Sequence, residues 1–371
     1  MAKQRRSKSE ARRASDIVLD ALRHRYGKDA ATTTGVDRES SVRDFVSTQC
    51  FALDMALGRP GIPCGRLTVI QGKEASGKTT VVTHIMAECQ RRGGLAVYID
   101  AEYAFDSERA ARMGLYDEDT LPARSDFLPV VIVHPEHVED TLSKIEEVIA
   151  RIREADEDIL TVIAWDSVAG TPTKAEVEGT FEDSAQPGIH ARKLSAGLRQ
   201  LVKLIAHERI ALVFVNQLKD AIGSFGFGGA QSTSIASKPL GYHASVRIET
   251  FYTGTVGGGK DKRKASTGIT CRAKITKNKL APPFREAEFI IDFNYGIDEE
   301  ASRLQLASVL GIVGKRGSYL TFDGETFRPS KVPDAIRKGI NAKLEEEAQS
   351  RRVIAPRGGV EDDETDESEE D

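Results

Sequence analysis

The run RLTVIQGKEASGKTT (Arg66–Thr80) decides how this chain must fold, and LAVYIDAEYAFD (Leu95–Asp106) follows it after one helix-like segment. Gly72 to Thr79 fits G-x-x-x-x-G-K-[ST], preceded by a strand-like run from Leu67 to Gln71 and followed by a helix-like one from Thr79 to Arg92. That order is the setting a phosphate-binding loop requires. Glycines let backbone N–H groups turn inward around phosphate oxygens, and the helix start adds the positive end of its dipole. Lys78 then reaches the β- and γ-phosphates, and the Thr79 hydroxyl can ligate Mg²⁺. The ligand implied is a nucleoside triphosphate; a Gly-rich turn that merely caps a helix is the alternative reading.

With 371 residues and 40% apolar content, the chain can bury one large core and a smaller appended domain. Cys50, Cys64, Cys89 and Cys271 lie far apart without C-x-x-C spacing, which suggests reduced thiols rather than a disulfide framework or zinc site. The basic N-terminus lacks an apolar signal core and no apolar run reaches membrane-spanning length, so a cytoplasmic protein without a membrane partner is expected. Charge is uneven: Glu361 to Asp371 holds nine acidic residues, more than the whole net charge of −5. At the other end Lys3, Arg5, Arg6, Lys8, Arg12 and Arg13 form a basic arm, followed by a helical apolar pattern from Ser15 to Tyr26. That single amphipathic helix has little of its own to pack on, which suggests docking on a neighbouring subunit.

Beyond the first helix, strand-like and helix-like segments alternate. Gly93-Gly94 ends the helix; Leu95 to Asp100, Val130 to Val133, Leu160 to Asp166 and Ile210 to Asn216 read as strands, with helices at His137 to Glu154 and Gly188 to Glu208. The alternation predicts a mostly parallel, doubly wound sheet with ligands at the carboxyl ends of its strands. Asp166 ends one such strand and is expected beside the phosphate loop, serving Mg²⁺ directly or through water. Glu102, two residues past Asp100, is either a general base for an attacking water or a solvated loop carboxylate. Gln217 is an uncharged donor able to sense a γ-phosphate. Two long loops, Thr171 to Pro187 and the Gly/Ser-rich Lys219 to Gly241, leave the same sheet edge, and loops of that length are usually functional or disordered.

GKEASGKTT, IDAEYAFD, VIAWDSVAGTPTKAEVEG, HARKLSAGLRQL, FVNQLKDAIG, ASVRIE and KITKNKLAPPF, in this order and spacing, resemble the bacterial and phage RecA recombinases, from about Ser15 to Asp298. The resemblance implies a RecA-type P-loop ATPase core of α/β class, with an N-terminal helix and a small α+β C-terminal domain. It implies a DNA-dependent ATPase with ATP and Mg²⁺ as cofactors, which assembles a helical filament on single-stranded DNA and pairs it with homologous duplex DNA. Single-strand-binding and loader proteins would be further partners. By matching motif, Gly72, Lys73, Glu74, Ala75, Ser76, Gly77, Lys78, Thr79 and Thr80 bind the triphosphate, Asp106 contacts adenine, Glu102 activates water, Gln217 senses the γ-phosphate, and Thr79 and Asp166 serve the metal. Arg192, Ser195, Arg199 and Lys219 would face DNA phosphates, Ile222 would wedge between bases, and Arg272 and Lys274 would belong to a duplex-binding site. Lys277 and Lys279 alternate near the end of the strand-like run Ile269 to Lys279, so they share a face. Without the motif they read as a solvated edge pair; with it, they act on the next subunit's γ-phosphate.

Departures from the family pattern accompany this likeness. Arg109 stands where a tyrosine usually stacks on adenine, and Phe251-Tyr252 replaces an arginine pair on a strand expected to face DNA. The expected division is 1–41 basic arm and oligomerisation helix, 42–298 ATPase core, 299–352 small domain and 353–371 disordered acidic tail. A hexameric helicase-type motor and a non-catalytic nucleotide-gated scaffold remain open as other readings of the phosphate loop.

Overall fold

The structure is a computed structural model that describes residues 8–27, 42, 44–156, 158–179, 188–220, 232–233, 236–257 and 265–352. The acidic tail, residues 1–7, Pro187 and Ile222 lie outside the described residues. Helix α1 (Lys8–Tyr26) begins earlier than the apolar pattern from Ser15 predicts, because the basic residues before it are also good helix formers. Its Ile17, Val18 and Tyr26 are exposed. Strand β1 (Phe45–Val46), helix α2 (Phe51–Leu57) and β2 (Ile62–Pro63) lead into β3 (Arg66–Gly72), which is buried almost throughout. After the phosphate loop come α3 (Lys78–Arg91), β4 (Leu95–Asp100), α4 (Ser107–Arg112), β5 (Val131–Val133), α5 (Val138–Ala155) and β6 (Thr161–Asp166). A short helix α6 (Lys174–Glu178), α7 (Ile189–Leu204), β7 (Ile210–Gln217), the pair β8 (Lys219–Asp220) and β9 (Ser232–Thr233), and α8 (Ser237–His243) follow.

Three antiparallel strands then extend the sheet: β10 (Val246–Gly257), β11 (Ser266–Asn278) and β12 (Glu286–Asp292), closed by β13 (Gly296–Asp298). Among the described residues the main sheet has the order β13-β12-β11-β10-β3-β7-β6-β4-β5, and every pairing from β10 to β5 is parallel. Its central strands are continuous apolar runs because helices cover both faces. On one face α3 packs over Ile70, Tyr98 and Val213; on the other α5 and α7 pack over Val69, Ile99 and Phe214. Trp165 anchors the second layer, edge-on to Phe214 at 5.2 Å, with its indole N–H donating to Thr171 Oγ1 at 2.9 Å. Burying each such aromatic contributes about 1.5–3 kcal/mol.

The chain ends with α9 (Glu299–Val309), the three-stranded sheet β14 (Gly314–Arg316), β15 (Tyr319–Phe322) and β16 (Glu325–Phe327), and α10 (Asp334–Arg352). These elements share a separate apolar cluster around Leu320, Phe322, Ile340 and Leu344. Phe51 and Met55 of α2 enter that cluster, and the Arg303 guanidinium lies 4.1 Å above the Phe51 ring. Among the described residues no helix is long and apolar enough to cross a membrane.

Candidate nucleotide site and the surfaces around it

The phosphate loop turns back on itself between β3 and α3. Gly77 takes φ +85° and serves as the α3 N-cap; a Cβ there would also meet Ile291 Cδ1 at 2.5 Å. Gly72 is closed to larger residues too, since a Cβ would lie 2.5 Å from the Thr250 carbonyl oxygen. Ser76 Oγ donates to the Lys73 carbonyl and lies 2.8 Å from Thr250 Oγ1, so β10 braces the loop. Lys78 is buried with its ammonium donating to the Lys73 carbonyl at 2.7 Å. Burial pulls its pKa down, while the carboxylates of Asp166, Glu102 and Glu74 oppose that shift.

Adjacent parallel strands bring the other groups to the same edge. Thr79 Oγ1 donates to Asp166 Oδ2 at 2.7 Å, and the Tyr98 hydroxyl donates to the same oxygen at 3.2 Å. Burial raises the Asp166 pKa despite the Thr79 bond and the nearby Lys78 charge. Glu102 is exposed, and its Oε1 accepts from Ser167 Oγ at 2.6 Å. Gln217 is directly paired with Gly72, the first residue of the motif, and the next amide, Leu218 N, donates to the Gly72 carbonyl at 3.0 Å. Asp106 caps α4, its Oδ1 accepting from the Arg109 amide at 2.9 Å, so one oxygen of the residue expected to meet adenine is engaged locally. Tyr98 and Ser167 were not legible as site residues; their only signal was placement on β4 and directly after β6.

A cavity of about 580 Å³ opens over this loop, lined by Ala75 to Thr80, Arg109, Tyr252, Ile269, Ile291 and Phe293. Among the described residues no cluster of three or more His, Cys, Asp or Glu side chains is arranged to hold a metal ion. Thr79 and Asp166, one hydroxyl and one carboxylate, suit Mg²⁺, which keeps most of its waters and takes the remaining ligands from phosphate.

On α7, Arg192 and Arg199 are exposed and Ser195 is half-buried, three positions on one stripe; the opposite stripe, Leu194, Leu198 and Leu201, is core. Lys219 begins β8, but its side chain lies outside what is described. Arg272 and Lys274 share one face of β11, and Glu286 on β12 lies 3.8 Å and 3.3 Å from them. A second cationic group gathers elsewhere. Lys277 donates to the carbonyls of Gly241 and Tyr242 at the end of α8. Its pKa is lowered by burial, then by the charges of Lys279 and Arg247. His243 is pushed down by burial and by the charges of Arg199, Lys279 and Lys277. Arg199, which the family resemblance assigns to DNA, therefore also lies close enough to act on the same histidine as the lysine pair.

A parallel sheet with a phosphate loop after one strand, a buried carboxylate at the end of a neighbouring strand and an amide side chain beside the loop defines a P-loop nucleotide-binding ATPase with a RecA-type core. Residues 13–298 match the family described as the RecA N-terminal domain. The chain is 37% identical over 312 residues to Protein RecA of Bifidobacterium longum (strain NCC 2705), covering 84% of this chain and 72% of that one. It is 35% identical over 351 residues to Protein RecA of Syntrophus aciditrophicus (strain SB), covering 93% and 95%. The chain belongs to the RecA family. It is accordingly a RecA-like recombinase, a DNA-binding, DNA-dependent ATPase that assembles with its own copies.

Proposed function

We propose that this chain hydrolyses ATP at an interface between subunits of a helical filament on single-stranded DNA. The phosphate loop, Gly72 to Thr80, holds the triphosphate. Thr79 and Asp166 hold Mg²⁺, which when bound neutralises charge on the phosphate oxygens. Glu102 orients and deprotonates the attacking water. Gln217, at the start of the second loop, senses the γ-phosphate, and Asp106 and Arg109 border the adenine. Arg192, Ser195, Arg199 and Lys219, with Ile222 as wedge, face single-stranded DNA, while Arg272 and Lys274 meet the homologous duplex. Single-strand-binding and loader proteins are the further partners, and the cytoplasm is the place of action. Residues 1–41 serve as arm and oligomerisation helix, 42–298 as the ATPase core, 299–352 as a small accessory domain and 353–371 as an acidic tail.

One observation carries the intersubunit reading. Lys277 pairs with Arg247, and β10 runs alongside β3 so that Val246 meets Thr68 while Thr250 meets Gly72. The lysine pair therefore lies at the end of β3 away from the phosphate loop. From Val246 to Thr250 the strand alone spans about 13 Å, beyond the reach of a lysine side chain toward its own nucleotide. Two ammonium groups crowded by Arg247 and His243 form an anion-seeking surface that fits the γ-phosphate of a neighbouring copy, as an arginine finger in trans does.

Mixing tests this. Glu102→Gln subunits and Lys277→Ala/Lys279→Ala subunits are each expected to lack DNA-dependent turnover alone. Co-assembled on single-stranded DNA they form some interfaces with a working Glu102 and both lysines, and turnover reappears. No recovery in filaments shown to contain both variants would mean that the lysines do not act across the interface.

A further inference from the structure

The strand β10 carries Phe251 and Tyr252 side by side in sequence, yet the fold sends them to opposite faces. Phe251 pairs with Arg272 on the face away from the phosphate loop, with the Arg272 guanidinium 5.2 Å from its ring. Two residues before Tyr252, Thr250 meets Ser76 of the phosphate loop at 2.8 Å. The two-residue period of a strand therefore aims Tyr252 to the same side as Thr250. Tyr252 pairs with Cys271, whose sulfur lies 3.2 Å from where a Cβ on Gly77 would sit. Tyr252, 51% exposed, lines the 580 Å³ cavity.

We propose that Tyr252 supplies base affinity without base identity in this chain, its ring being a wall on which the base of the bound nucleoside triphosphate stacks. The inference rests on reading the cavity as the nucleotide site. The triphosphate belongs at the end formed by Ala75 to Thr80, where backbone N–H groups and Lys78 converge. What remains for the base is a wall of Tyr252, Phe293, Arg109, Ile269 and Ile291. Asp106, the carboxylate that the family resemblance assigns to adenine, already spends one oxygen on the α4 cap. Such a wall offers π faces and a guanidinium plane rather than a fixed set of donors and acceptors. Stacking tolerates any base, because every base has a π face. The chain thus binds nucleoside triphosphates as a class.

Titration calorimetry of the full chain with Mg²⁺ and ATP, GTP, CTP or inorganic tripolyphosphate tests both layers. Wild type is expected to bind ATP and GTP within a few-fold of each other. Tyr252→Ala weakens all three nucleotides about tenfold, the size of one lost base–aromatic stack, and leaves tripolyphosphate unchanged; Tyr252→Phe restores nucleotide binding. Nucleotide affinity unaltered in Tyr252→Ala, a parallel loss of tripolyphosphate, or strict selection of ATP by the wild type would each overturn the proposal. Lys78→Ala is the control for the cavity itself: it must weaken tripolyphosphate and nucleotides together, and if it leaves both intact the cavity is not the nucleotide site.

Discussion

Lys78 and Asp166 are buried charges of opposite sign whose burial drives each toward its neutral form, and each charge partly offsets the shift of the other. An arriving triphosphate and its cation supply the missing countercharges, so the site is electrostatically completed by its ligand. Glu102 is different: it is exposed and held by one hydroxyl, that of Ser167. The two residues therefore fail differently. Lys78→Ala is expected to lose both ATP binding and turnover. Glu102→Gln keeps the volume and the Ser167 contact, retains ATP binding in equilibrium titration and loses roughly 10²–10⁴-fold in kcat, the usual worth of a positioned general base. Equal loss of ATP affinity in both variants would remove Glu102 from the role of base. These residues were legible because each follows a strand, where motif spacing alone puts a side chain at the ligand edge. Tyr98 and Tyr252 were not, since a tyrosine in a strand reads equally as core.

Element by element, the helix that begins at the phosphate loop is tied to the start of the C-terminal elements by one histidine. His84 on α3 donates from Nδ1 to Gln49 Oε1 at 2.8 Å and accepts at Nε2 from the Ile297 amide at 2.9 Å. Gly296 is required beside it, with φ +84° and a would-be Cβ only 2.3 Å from His84 Nε2. The bond from Ile297 needs the neutral ring, because a protonated Nε2 cannot accept, and burial lowers the ring's pKa from 6.5 to about 4. Between those values the unfolded chain binds the proton and the folded one does not. The stability held by His84 is complete above pH 6.5 and is lost as pH falls toward 4, in all roughly 3 kcal/mol. Denaturant unfolding from pH 7.5 to 4.5 should show a shallower decline for His84→Gln than for wild type; identical slopes would mean that the ring carries no linked proton. Nothing in the sequence around His84 announced a link to Ile297, more than two hundred positions away.

At the scale of the whole molecule, charge is divided between a chain that carries cationic surfaces and a terminus with nine carboxylates. We predict that those carboxylates compete with DNA phosphate for the same lysines and arginines. Deletion after Val360 is expected to tighten duplex binding, most strongly at low salt, with the difference fading as screening shortens the reach of charge. Duplex affinity unchanged across a salt titration would leave the tail only a solubilising role. The sequence by itself determined the order of strands and helices, the phosphate loop and the carboxylates at the strand ends, because periodicity and motif spacing are local and survive without knowledge of neighbours. Only the tertiary structure decided which face each strand turns inward and what meets across the sheet. It turned Tyr252 rather than Phe251 toward the phosphate loop, gathered Arg199, Lys277 and Lys279 around His243, and carried Phe51 and Met55 into the C-terminal cluster. The physical reason is register: a period of two says that neighbours point apart, but which one points inward is set by pairing with residues far along the chain.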